Sequence, residues 1–536
     1  MATKTYRVLI SDKVHEICKT RLEEAGVDVD YRPGLKGNEL LEAISKAHGL
    51  VVRSATKVTP EVLAAATNLQ VVGRAGVGVD NIAVDEATRR GVAVINTPEG
   101  NTISAAEHAV GLMMSLSRNI PQACADMKAG NWNRSAFMGT EIRGKTLGVI
   151  GLGKIGREVA QRARALQMSV VCYDPLISPS VAESVGAQLL PLDDLLSRAD
   201  FISLHLPIND RTRGMLNSET LAKCKKGIRI INCARGGVVD ESDLLAALES
   251  GQVAGAALDV FVEEPPDLAS PLVQHPNMVV TPHLGASTEE AQILVAEQIG
   301  QFVAEALTQG NLRNTVNMFP IDRQTAQKAQ PFLTLCEGIG SLHGQLSDGS
   351  PQSLTVEYYG DALEHPTGLL TAGVLTGFLQ QAESGRINIV NAPTIAQERG
   401  IRVDEMRTTG HEDYNSLVTV TFQSRRDDGT VETRKIAGSI FGENSPRIVR
   451  IDGQSCDVIP EGKLLIMWTQ DRPGVIGEVA TRLGALEVNI AFASYGRNTP
   501  GGIAIMVFVL DDKIDEETLE QILALDTVNQ AKYASL

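Results

Sequence analysis

The segment Gly-Leu-Gly-Lys-Ile-Gly at residues 151–156 constrains the fold of this chain most strongly. The apolar run LGVI before it predicts a buried strand, and the apolar spacing after it predicts a helix. A G-x-G-x-x-G turn between a strand and a helix is typical of dinucleotide-binding sites. Gly151 permits the tight turn, Gly153 lets the backbone approach a pyrophosphate, and Gly156 lets the helix pack closely on the strand. The free N–H groups at the start of that helix then favour phosphate binding.

An acidic residue sharpens the cofactor prediction. Asp174 ends the next apolar run, SVVCYD, eighteen residues after Gly156. A carboxylate about 20 residues beyond the fingerprint accepts hydrogen bonds from the adenine-ribose diol of NAD and repels the 2′-phosphate of NADP. Asp174 also precedes Pro175, where aspartate often forms a turn, and one residue can serve both purposes. The sequence therefore predicts NAD.

Composition excludes several classes of protein. A length of 536 residues suggests three or four domains, and 43% hydrophobic residues are ample for packed cores. The net charge of −16 argues against a general nucleic-acid or membrane-surface role, although it leaves room for a local basic pocket. Seven cysteines lie scattered without a C-x-x-C pair, which favours a reducing compartment and no metal site. The first residues show no apolar signal segment, so we expect a soluble cytoplasmic protein.

The first part of the chain has α/β patterning in two sets. Residues 1–98 alternate short strands with helices, and residues 99–283 form a second set that contains the fingerprint. A long helical stretch opens the second set, with Ser104 and Glu107 spaced as a capping box. A further helix after residue 283 is expected to return to the first set. We therefore predict a discontinuous substrate domain, 1–98 with 284–313, into which an NAD-binding domain, 99–283, is inserted.

The remainder of the chain predicts two further domains. Residues 314–455 carry strand-like segments with helical patches between them and lack a glycine fingerprint. Residues 462–536 follow a β-α-β-β-α-β order, which is the pattern of a ferredoxin-like fold.

Three polar residues lie on separate loops downstream of the fingerprint: Arg235 in NCARGGVVDE, Glu264 in DVFVEEPP and His283 in TPHLGAST. Together with the fingerprint, these segments closely resemble the D-isomer-specific 2-hydroxyacid dehydrogenases over residues 1–313. The stretch DRPGVIGEVATRLGALEVNI resembles an ACT regulatory domain, and the segment between resembles the intervening domain of long-form D-3-phosphoglycerate dehydrogenases. The resemblance implies an α/β fold class: a Rossmann-type NAD-binding domain inserted in a flavodoxin-like substrate domain, followed by an α+β intervening domain and a ferredoxin-like ACT domain.

The resemblance also implies catalytic roles. His283 is the acid/base, because an imidazole with an ordinary pKa of ~6.5 can take the hydroxyl proton as hydride leaves for the nicotinamide. Glu264 holds His283 in one tautomer and stabilises the imidazolium. Arg235 grips the substrate carboxylate and polarises the carbonyl in the reverse direction, where a planar fork is better than a point charge.

Cofactor contacts follow from the same resemblance. Asp259 corresponds to a residue that bonds the nicotinamide amide. The full predicted set comprises Val77, Gly151, Gly153, Lys154, Ile155, Gly156, Asp174, Leu206, Cys233, Ala234, Arg235, Asp259, His283, Leu284, Gly285 and Ala286.

Substrate choice is expected to rest on Arg53 and Arg74, which end predicted strands of the first domain. Two guanidiniums beyond Arg235 suit a dianionic phosphate as well as a carboxylate. Relatives that act on glyoxylate or lactate usually lack an arginine at the second position. Arg134 is either a third cation for the site, donated by a neighbouring subunit, or a solvated surface charge.

Effector and partner expectations also rest on the resemblance. Asp471 and Asn489 match positions where ACT domains bind an amino acid between paired subunits, so serine is the expected effector, although Asp-Arg-Pro-Gly is also an ordinary turn and helix cap. Arg447 and Arg450 form a weaker candidate anion site. The family is expected to assemble as homotetramers.

The expected activity is NAD-dependent oxidation of 3-phospho-D-glycerate to 3-phosphooxypyruvate, the first step of L-serine biosynthesis, with serine feedback. A glyoxylate or hydroxypyruvate reductase on the same fold is the alternative enzyme. A non-catalytic dinucleotide-sensing corepressor is the alternative from another class, and the complete Arg/Glu/His set and the acidic charge argue against it.

Overall fold

The computed structural model describes residues 5–319, 323–381, 386–408, 413–426, 428–442 and 444–536. Within these residues the strands form four sheets that follow one another along the chain. None of the helices in these ranges combines the length and the apolar character that crossing a membrane requires.

The first sheet is parallel and has the strand order β2-β1-β3-β4-β5, which is the order of flavodoxin-like folds. Its inner strand β3 is a continuous buried apolar run, GLVV, as expected where helices cover both faces, whereas the residues of the edge strand β2, DVDY, are exposed or half-buried. The elements are β1 (Arg7–Ile10), α1 (Ile17–Glu24), β2 (Asp28–Tyr31), α2 (Gly37–Ile44), β3 (Gly49–Val52), α3 (Pro60–Ala65), β4 (Val71–Arg74), α4 (Val84–Arg89) and β5 (Ala93–Asn96).

The second region contains the fingerprint. Its elements are α5 (Thr102–Arg118), α6 (Ile120–Lys128), a 3₁₀ turn (Arg134–Phe137), β6 (Thr146–Ile150), α7 (Lys154–Ala165), β7 (Ser169–Tyr173), α8 (Pro179–Ser184), β8 (Gln188–Leu189), α9 (Leu192–Arg198), β9 (Phe201–Leu204), α10 (Ser218–Ala222), β10 (Ile228–Asn232), α11 (Glu241–Glu249), β11 (Val253–Leu258) and β12 (Met278–Val280). The sheet is parallel, in the order β12-β11-β10-β9-β6-β7-β8. The order reverses between β6 and β9, and ligands bind outside the carboxyl ends of strands at such a switch point.

The helix that follows, α12 (Glu289–Gln309), packs back onto the first sheet, as the sequence predicts. Its apolar face, including Ile299 and Val303, shares a core with β1 and β4. A Cβ on Gly73 would lie 2.9 Å from the Ile299 side chain, so the glycine lets α12 approach β4 closely. The chain thus passes between the first two sheets twice, and a cleft lies between them.

The predicted capping box at the start of α5 is wrong. The helix begins at Thr102 with Asn101 as its N-cap, so Ser104 lies inside it. The Ser104 hydroxyl lies 2.6 Å from the hydroxyl of Thr288 at the start of α12 instead. The Ser104 hydroxyl therefore bonds to a residue from another helix and does not cap α5.

The third sheet has the order β14-β13-β15-β16-β17-β18, in which only β13 and β14 are parallel. Its principal helices, α13 and α14, pack together against it. The elements are α13 (Arg323–Leu346), β13 (Ser350–Gly360), a 3₁₀ turn (Asp361–Glu364), α14 (Thr367–Gln380), α15 (Ala392–Glu398), β14 (Arg402–Thr408), β15 (Ser416–Arg425), β16 (Val431–Phe441), β17 (Ser445–Ile451) and β18 (Gln454–Val458).

The fourth sheet confirms the predicted β-α-β-β-α-β order. Its elements are β19 (Lys463–Gln470), α16 (Val475–Ala485), β20 (Ile490–Arg497), β21 (Ile503–Leu510), α17 (Glu516–Leu523) and β22 (Val528–Ser535), in the antiparallel order β20-β21-β19-β22. On β19, Leu465 and Met467 pack into the core that the two helices cover. Ile466 and Trp468 face the core of the third sheet instead.

A buried arginine joins the third and fourth sheets. Arg434 on β16 is 3% exposed, and its guanidinium donates to Asp452 Oδ2 at 2.8 Å and to Glu432 Oε1 at 3.0 Å. The same guanidinium lies over the ring of Trp468 on β19, 4.9 Å from its centroid. Because a buried charge needs partners, this cluster is a specific link between the two sheets.

Candidate active site

The three glycines of the fingerprint have different surroundings. Gly151 has φ 91°, and a Cβ there would lie 2.5 Å from the backbone oxygen of His205. A Cβ on Gly156 would overlap the backbone oxygen of Gly151, so only glycine lets α7 sit this close to β6. A Cβ on Gly153 would meet no protein atom within 4 Å. The backbone is therefore open to a ligand at the glycine where a pyrophosphate is expected, and the turn fits a dinucleotide.

Asp174 follows β7 and lies beside this turn. Its Oδ2 accepts a hydrogen bond from the Leu152 N–H at 2.9 Å, and its Oδ1 accepts one from the Leu176 N–H at 2.9 Å. The carboxylate thus forms the turn that the sequence suggests and also reaches the fingerprint. Each oxygen keeps a lone pair for a further donor, such as a ribose hydroxyl.

A cavity of about 920 Å³ opens between the first two regions. Residues from both regions line it. The predicted site residues in its wall are Arg53, Arg74, Val77, Ile155, Leu206, Cys233, Ala234, Arg235, Glu264, His283, Gly285 and Ala286. Lys154 lies outside this wall, where its Nζ donates to Glu99 Oε1 at 2.7 Å.

The imidazole and the carboxylate of the predicted dyad meet. His283 Nδ1 lies 2.8 Å from Glu264 Oε2, and Glu264 Oε1 accepts a hydrogen bond from the Phe261 N–H at 3.2 Å. The hydrogen bond to Glu264 raises the pKa of His283 above its ordinary value, against the opposing effect of burial. Burial works to raise the pKa of Glu264, but the bonds from His283 and Phe261 outweigh it and the pKa lies below its ordinary value. The dyad is therefore arranged to carry a proton on the imidazole.

The loop that carries His283 is held from beneath by Asp259, which is fully buried. Its Oδ1 accepts from the Leu284 N–H at 2.7 Å and from the Thr281 hydroxyl, and its Oδ2 accepts from the Gly285 N–H at 2.9 Å. Asp259 lies outside the cavity wall. Its Oδ1 also lies 3.1 Å from His108 Nε2 on α5, so Asp259 is both a strand-end cap and a partner of that imidazole. The predicted bond to nicotinamide remains a prediction.

Arg235 points into the cleft from the loop after β10. Its Nε donates to Asp80 Oδ2 at 2.8 Å, and its Nη1 donates to the Ala234 oxygen at 2.7 Å. Burial, reinforced by the charge of Asp259, raises the pKa of the Cys233 thiol beside it and so disfavours the thiolate that a nucleophilic cysteine needs.

Arg53 and Arg74 reach the same cavity from the ends of β3 and β4. Burial, followed by repulsion from Arg53 and Arg235, lowers the pKa of Arg74 to about 10. Arg74 therefore remains charged at neutral pH, and the three guanidiniums form one cationic cluster. An anion in the cavity would relieve their repulsion.

Within one chain, Arg134 lies away from the cavity. It is exposed in the 3₁₀ turn after α6 and lies outside the cavity wall. Trp132 and Met138 on either side of it are 74% and 85% exposed. Large apolar side chains around a charged residue are typical of an interface with another chain.

The two predicted effector residues also lie apart. Asp471 accepts hydrogen bonds from the Tyr495 hydroxyl at 2.9 Å and the Gly501 N–H at 2.8 Å, and it pairs with Arg497. Asn489 precedes β20 and bonds to Asp511. They sit at opposite ends of β20, which is the edge strand of its sheet.

Arg447 and Arg450, the weaker candidate anion site, already pair with carboxylates. Arg447 lies 3.6 Å from Asp457, and Arg450 lies 2.6 Å from Asp413. Arg450 also lines a second cavity of about 540 Å³, together with Lys435. An anion there would compete with an existing ion pair.

Sequence reasoning missed two residues that shape the main cavity. Asn81 accepts from Arg74 Nε at 3.3 Å, and its Nδ2 donates to the oxygens of Arg53 and Thr56 at 2.7 Å. His205 lines the cavity with its pKa lowered to about 4 by burial, so its imidazole is neutral. His205 directly follows β9, and Asn81 lies in the loop after β4, so a position after a strand that ends at the cleft is the signal that could have indicated them.

Metal chemistry has no candidate centre in the described ranges. No group of three or more His, Cys, Asp or Glu side chains there is placed to hold an ion. The reactive groups described in the cavity are the imidazole, the carboxylate and the guanidiniums.

Comparison with known families separates the chain into three matches. Residues 110–285 match the NAD-binding domain of the D-isomer-specific 2-hydroxyacid dehydrogenases. Residues 328–452 match the D-3-phosphoglycerate dehydrogenase intervening domain, and residues 463–527 match the ACT domain. The predicted order of domain types and the predicted NAD-binding fold are confirmed.

Some relatives match nearly the whole length of this chain, and others match little more than half of it. D-3-phosphoglycerate dehydrogenase of Methanocaldococcus jannaschii is 43% identical over 535 residues, covering 99% of this chain and 100% of its own. A glyoxylate reductase from Paecilomyes thermophila is 30% identical with a TM-score of 0.55, covering 59% of this chain and 99% of its own. D-lactate dehydrogenase from Aquifex aeolicus, crystallised with NAD and lactic acid, is 28% identical with a TM-score of 0.52, covering 58% and 98%.

Proposed function

We infer that this chain, which belongs to the D-3-phosphoglycerate dehydrogenase family, catalyses the NAD-dependent oxidation of 3-phospho-D-glycerate to 3-phosphooxypyruvate. This is the first step of L-serine biosynthesis. The observation that carries the proposal is one cavity in which the His283–Glu264 dyad faces three guanidiniums beside an open glycine turn. NAD, when bound, accepts a hydride from C2 of the substrate. The residues of the chain must bind the anion and accept the proton from the C2 hydroxyl.

The proton has a defined acceptor. Because Nδ1 of His283 lies against an ionised carboxylate, we assign the ring proton to Nδ1 and leave Nε2 free to accept. As the C2–H bond breaks, the hydroxyl proton passes to Nε2 and the C2–O bond becomes a carbonyl. Glu264 then faces a full imidazolium, whose charge it stabilises. In the reverse direction the imidazolium returns the proton.

The substrate anion is proposed to bind at the cationic cluster. Arg235 takes the carboxylate, and Arg53 and Arg74 take the phosphate. Arginine suits both groups because its planar fork pairs with two oxygens at once. We also propose that the residues of the predicted cofactor set hold NAD, and that the domain boundaries are those predicted from the sequence.

A substrate comparison tests this function. We expect kcat/KM for 3-phospho-D-glycerate to exceed that for D-glycerate by about 100-fold or more, because each charged hydrogen bond contributes roughly 1.5–3 kcal/mol. Arg74→Met should remove most of that preference, whereas Arg90→Met, which removes an exposed arginine on the same region, should leave it unchanged. Equal rates with both substrates would favour a glyoxylate or hydroxypyruvate reductase, the activity named for one structural neighbour.

We further propose that the chain forms a homo-oligomer, as a homotetramer, and that serine binds between copies. Two copies of β20 paired antiparallel would place Asn489 of each beside Asp471 of the other.

Arg134, set among exposed apolar residues, is proposed to reach a neighbouring copy's active site. Sedimentation should give a mass of four chains, and Asn489→Ala should weaken inhibition by serine. A monomer that serine still inhibits would contradict both proposals.

A cytoplasmic location is also proposed. All seven cysteines are free thiols, as a reducing compartment favours. Fractionation of cells that express the chain would test the location.

A further inference from the structure

A carboxylate of the substrate domain pairs with Arg235 across the cavity. Asp80 lies in the loop between β4 and α4, and its Oδ2 accepts from Arg235 Nε at 2.8 Å. A Cβ on Gly78 would collide with Arg235 Nη2 and would lie 3.1 Å from Asp80 Oδ2. The glycine therefore leaves the space through which the guanidinium reaches Asp80. This ion pair spans 155 residues of sequence and both sides of the cleft.

The pair restricts how Arg235 can meet a substrate. A guanidinium has five N–H donors, of which Nε has one and each terminal nitrogen has two. Asp80 takes the Nε donor and the Ala234 oxygen takes one Nη1 donor. A carboxylate can approach an arginine side-on through Nε and one terminal nitrogen, or end-on through both terminal nitrogens. With Nε taken, the end-on approach is left.

Asp80 differs from Asp12, another carboxylate near this cluster. Asp12 is buried and accepts from the backbone N–H groups of Arg53 and Thr56, so it holds backbone. Asp80 has a 61% exposed side chain, and its contact is with a guanidinium. An ion pair this exposed adds little to folding stability, so its effect is expected in the orientation of Arg235.

We propose that Asp80 is a positioning residue, which fixes Arg235 so that its two terminal nitrogens face the substrate carboxylate. Arg235 remains the residue that touches substrate. The inference rests on the proposed function as far as the substrate is a 2-hydroxy acid, and it does not depend on the phosphate.

The test compares Asp80→Ala and Asp80→Asn with Asp85→Ala, which removes an exposed carboxylate from the first turn of α4. Steady-state rates are measured with whichever 2-hydroxy acid the unaltered enzyme oxidises fastest. Failure of the proposed substrate therefore remains distinguishable from failure of this inference. We expect Asp80→Ala to lower kcat/KM for the hydroxy acid at least tenfold, with KM for NAD and the melting temperature unchanged. Asp80→Asn, whose amide oxygen still accepts from Nε, should stay within threefold, and Asp85→Ala within twofold.

A double-mutant cycle separates positioning from general support of the fold. Lysine at position 235 has no Nε–H at the same place, so Asp80→Ala should change kcat/KM less than twofold in the Arg235→Lys background. The proposal is overturned if Asp80→Ala has the same effect in both backgrounds. It is also overturned if Asp80→Ala stays within threefold of the unaltered enzyme, or if Asp80→Asn is as damaging as Asp80→Ala.

Discussion

Replacing Glu264 by glutamine isolates what its charge contributes to proton transfer. The amide oxygen of the introduced glutamine can still accept the hydrogen bond from His283 Nδ1, so the ring keeps its orientation while the charge is lost. Hydrogen bonds to charged groups contribute roughly 1.5–3 kcal/mol, and exposed ion pairs about 0–1 kcal/mol. The two side chains are 50% and 40% exposed, which places this pair between those limits, at about 1.5 kcal/mol. Because the imidazolium forms as hydride leaves, that loss lowers kcat about tenfold.

The pH dependence of the rate shows in which direction Glu264 shifts the pKa of His283. Glu264 raises the pKa of His283, and oxidation requires the neutral imidazole, so the rate rises as pH passes upward through that pKa. Glutamine removes the cause of the shift, so the acid limb of the oxidation profile moves to lower pH. Reduction requires the imidazolium, and the alkaline limb of its profile moves to lower pH as well. Steady-state profiles of kcat/KM in both directions measure this. Unmoved limbs, or limbs that move to higher pH, would mean that the charge of Glu264 does not raise the pKa of His283.

Four further substitutions test the glycine turn, the ribose contact and the link between the third and fourth sheets. Gly156→Ala forces α7 away from β6 and should lower both the melting temperature and the affinity for NAD. The Cβ of Gly153→Ala meets no protein atom, so this variant should weaken NAD binding and leave the melting temperature unchanged in calorimetry. Asp174→Ala should lower the preference for NAD over NADP in kcat/KM by at least tenfold, and an unchanged preference would remove its proposed contact with the ribose. Arg434→Met leaves Asp452 without its buried partner. In urea unfolding, the free energy of unfolding of the joined third and fourth sheets should fall by about 3–5 kcal/mol. A fall below about 1 kcal/mol would mean that the cluster is not a structural link.

The convergence of the three candidate residues could be predicted because parallel strands end at a common edge. Arg235, Glu264 and His283 follow β10, β11 and β12, which lie side by side in the sheet. Loops after neighbouring parallel strands meet at the carboxyl edge, so residues far apart in sequence are brought together. Local patterns of apolar residues and glycines carry that information, which is why the fingerprint and the strand alternation were reliable guides.

Contacts between distant elements could not be predicted in this way. Ser104 has the spacing of a cap, but its hydroxyl meets Thr288, 184 residues away. Asp80 lies 155 residues from Arg235 in sequence, and nothing in the periodicity of either segment indicates the pair. Asp259 directly follows β11, which ends at Leu258, and its burial beneath the His283 loop depends on how that loop folds back. Such pairings arise from tertiary packing, which local spacing does not encode.

His283 is proposed to be the proton acceptor, in a cavity where other residues of the chain bind NAD. His283 has φ 55°, and asparagine tolerates this left-handed conformation better than alanine, so His283→Asn is the cleaner variant. With 3-phospho-D-glycerate, we expect kcat to fall by about 10²–10⁴, the usual contribution of a general base, while the Kd for NAD stays within twofold. Loss of NAD affinity in parallel with turnover, or turnover within tenfold of the unaltered enzyme, would contradict the claim.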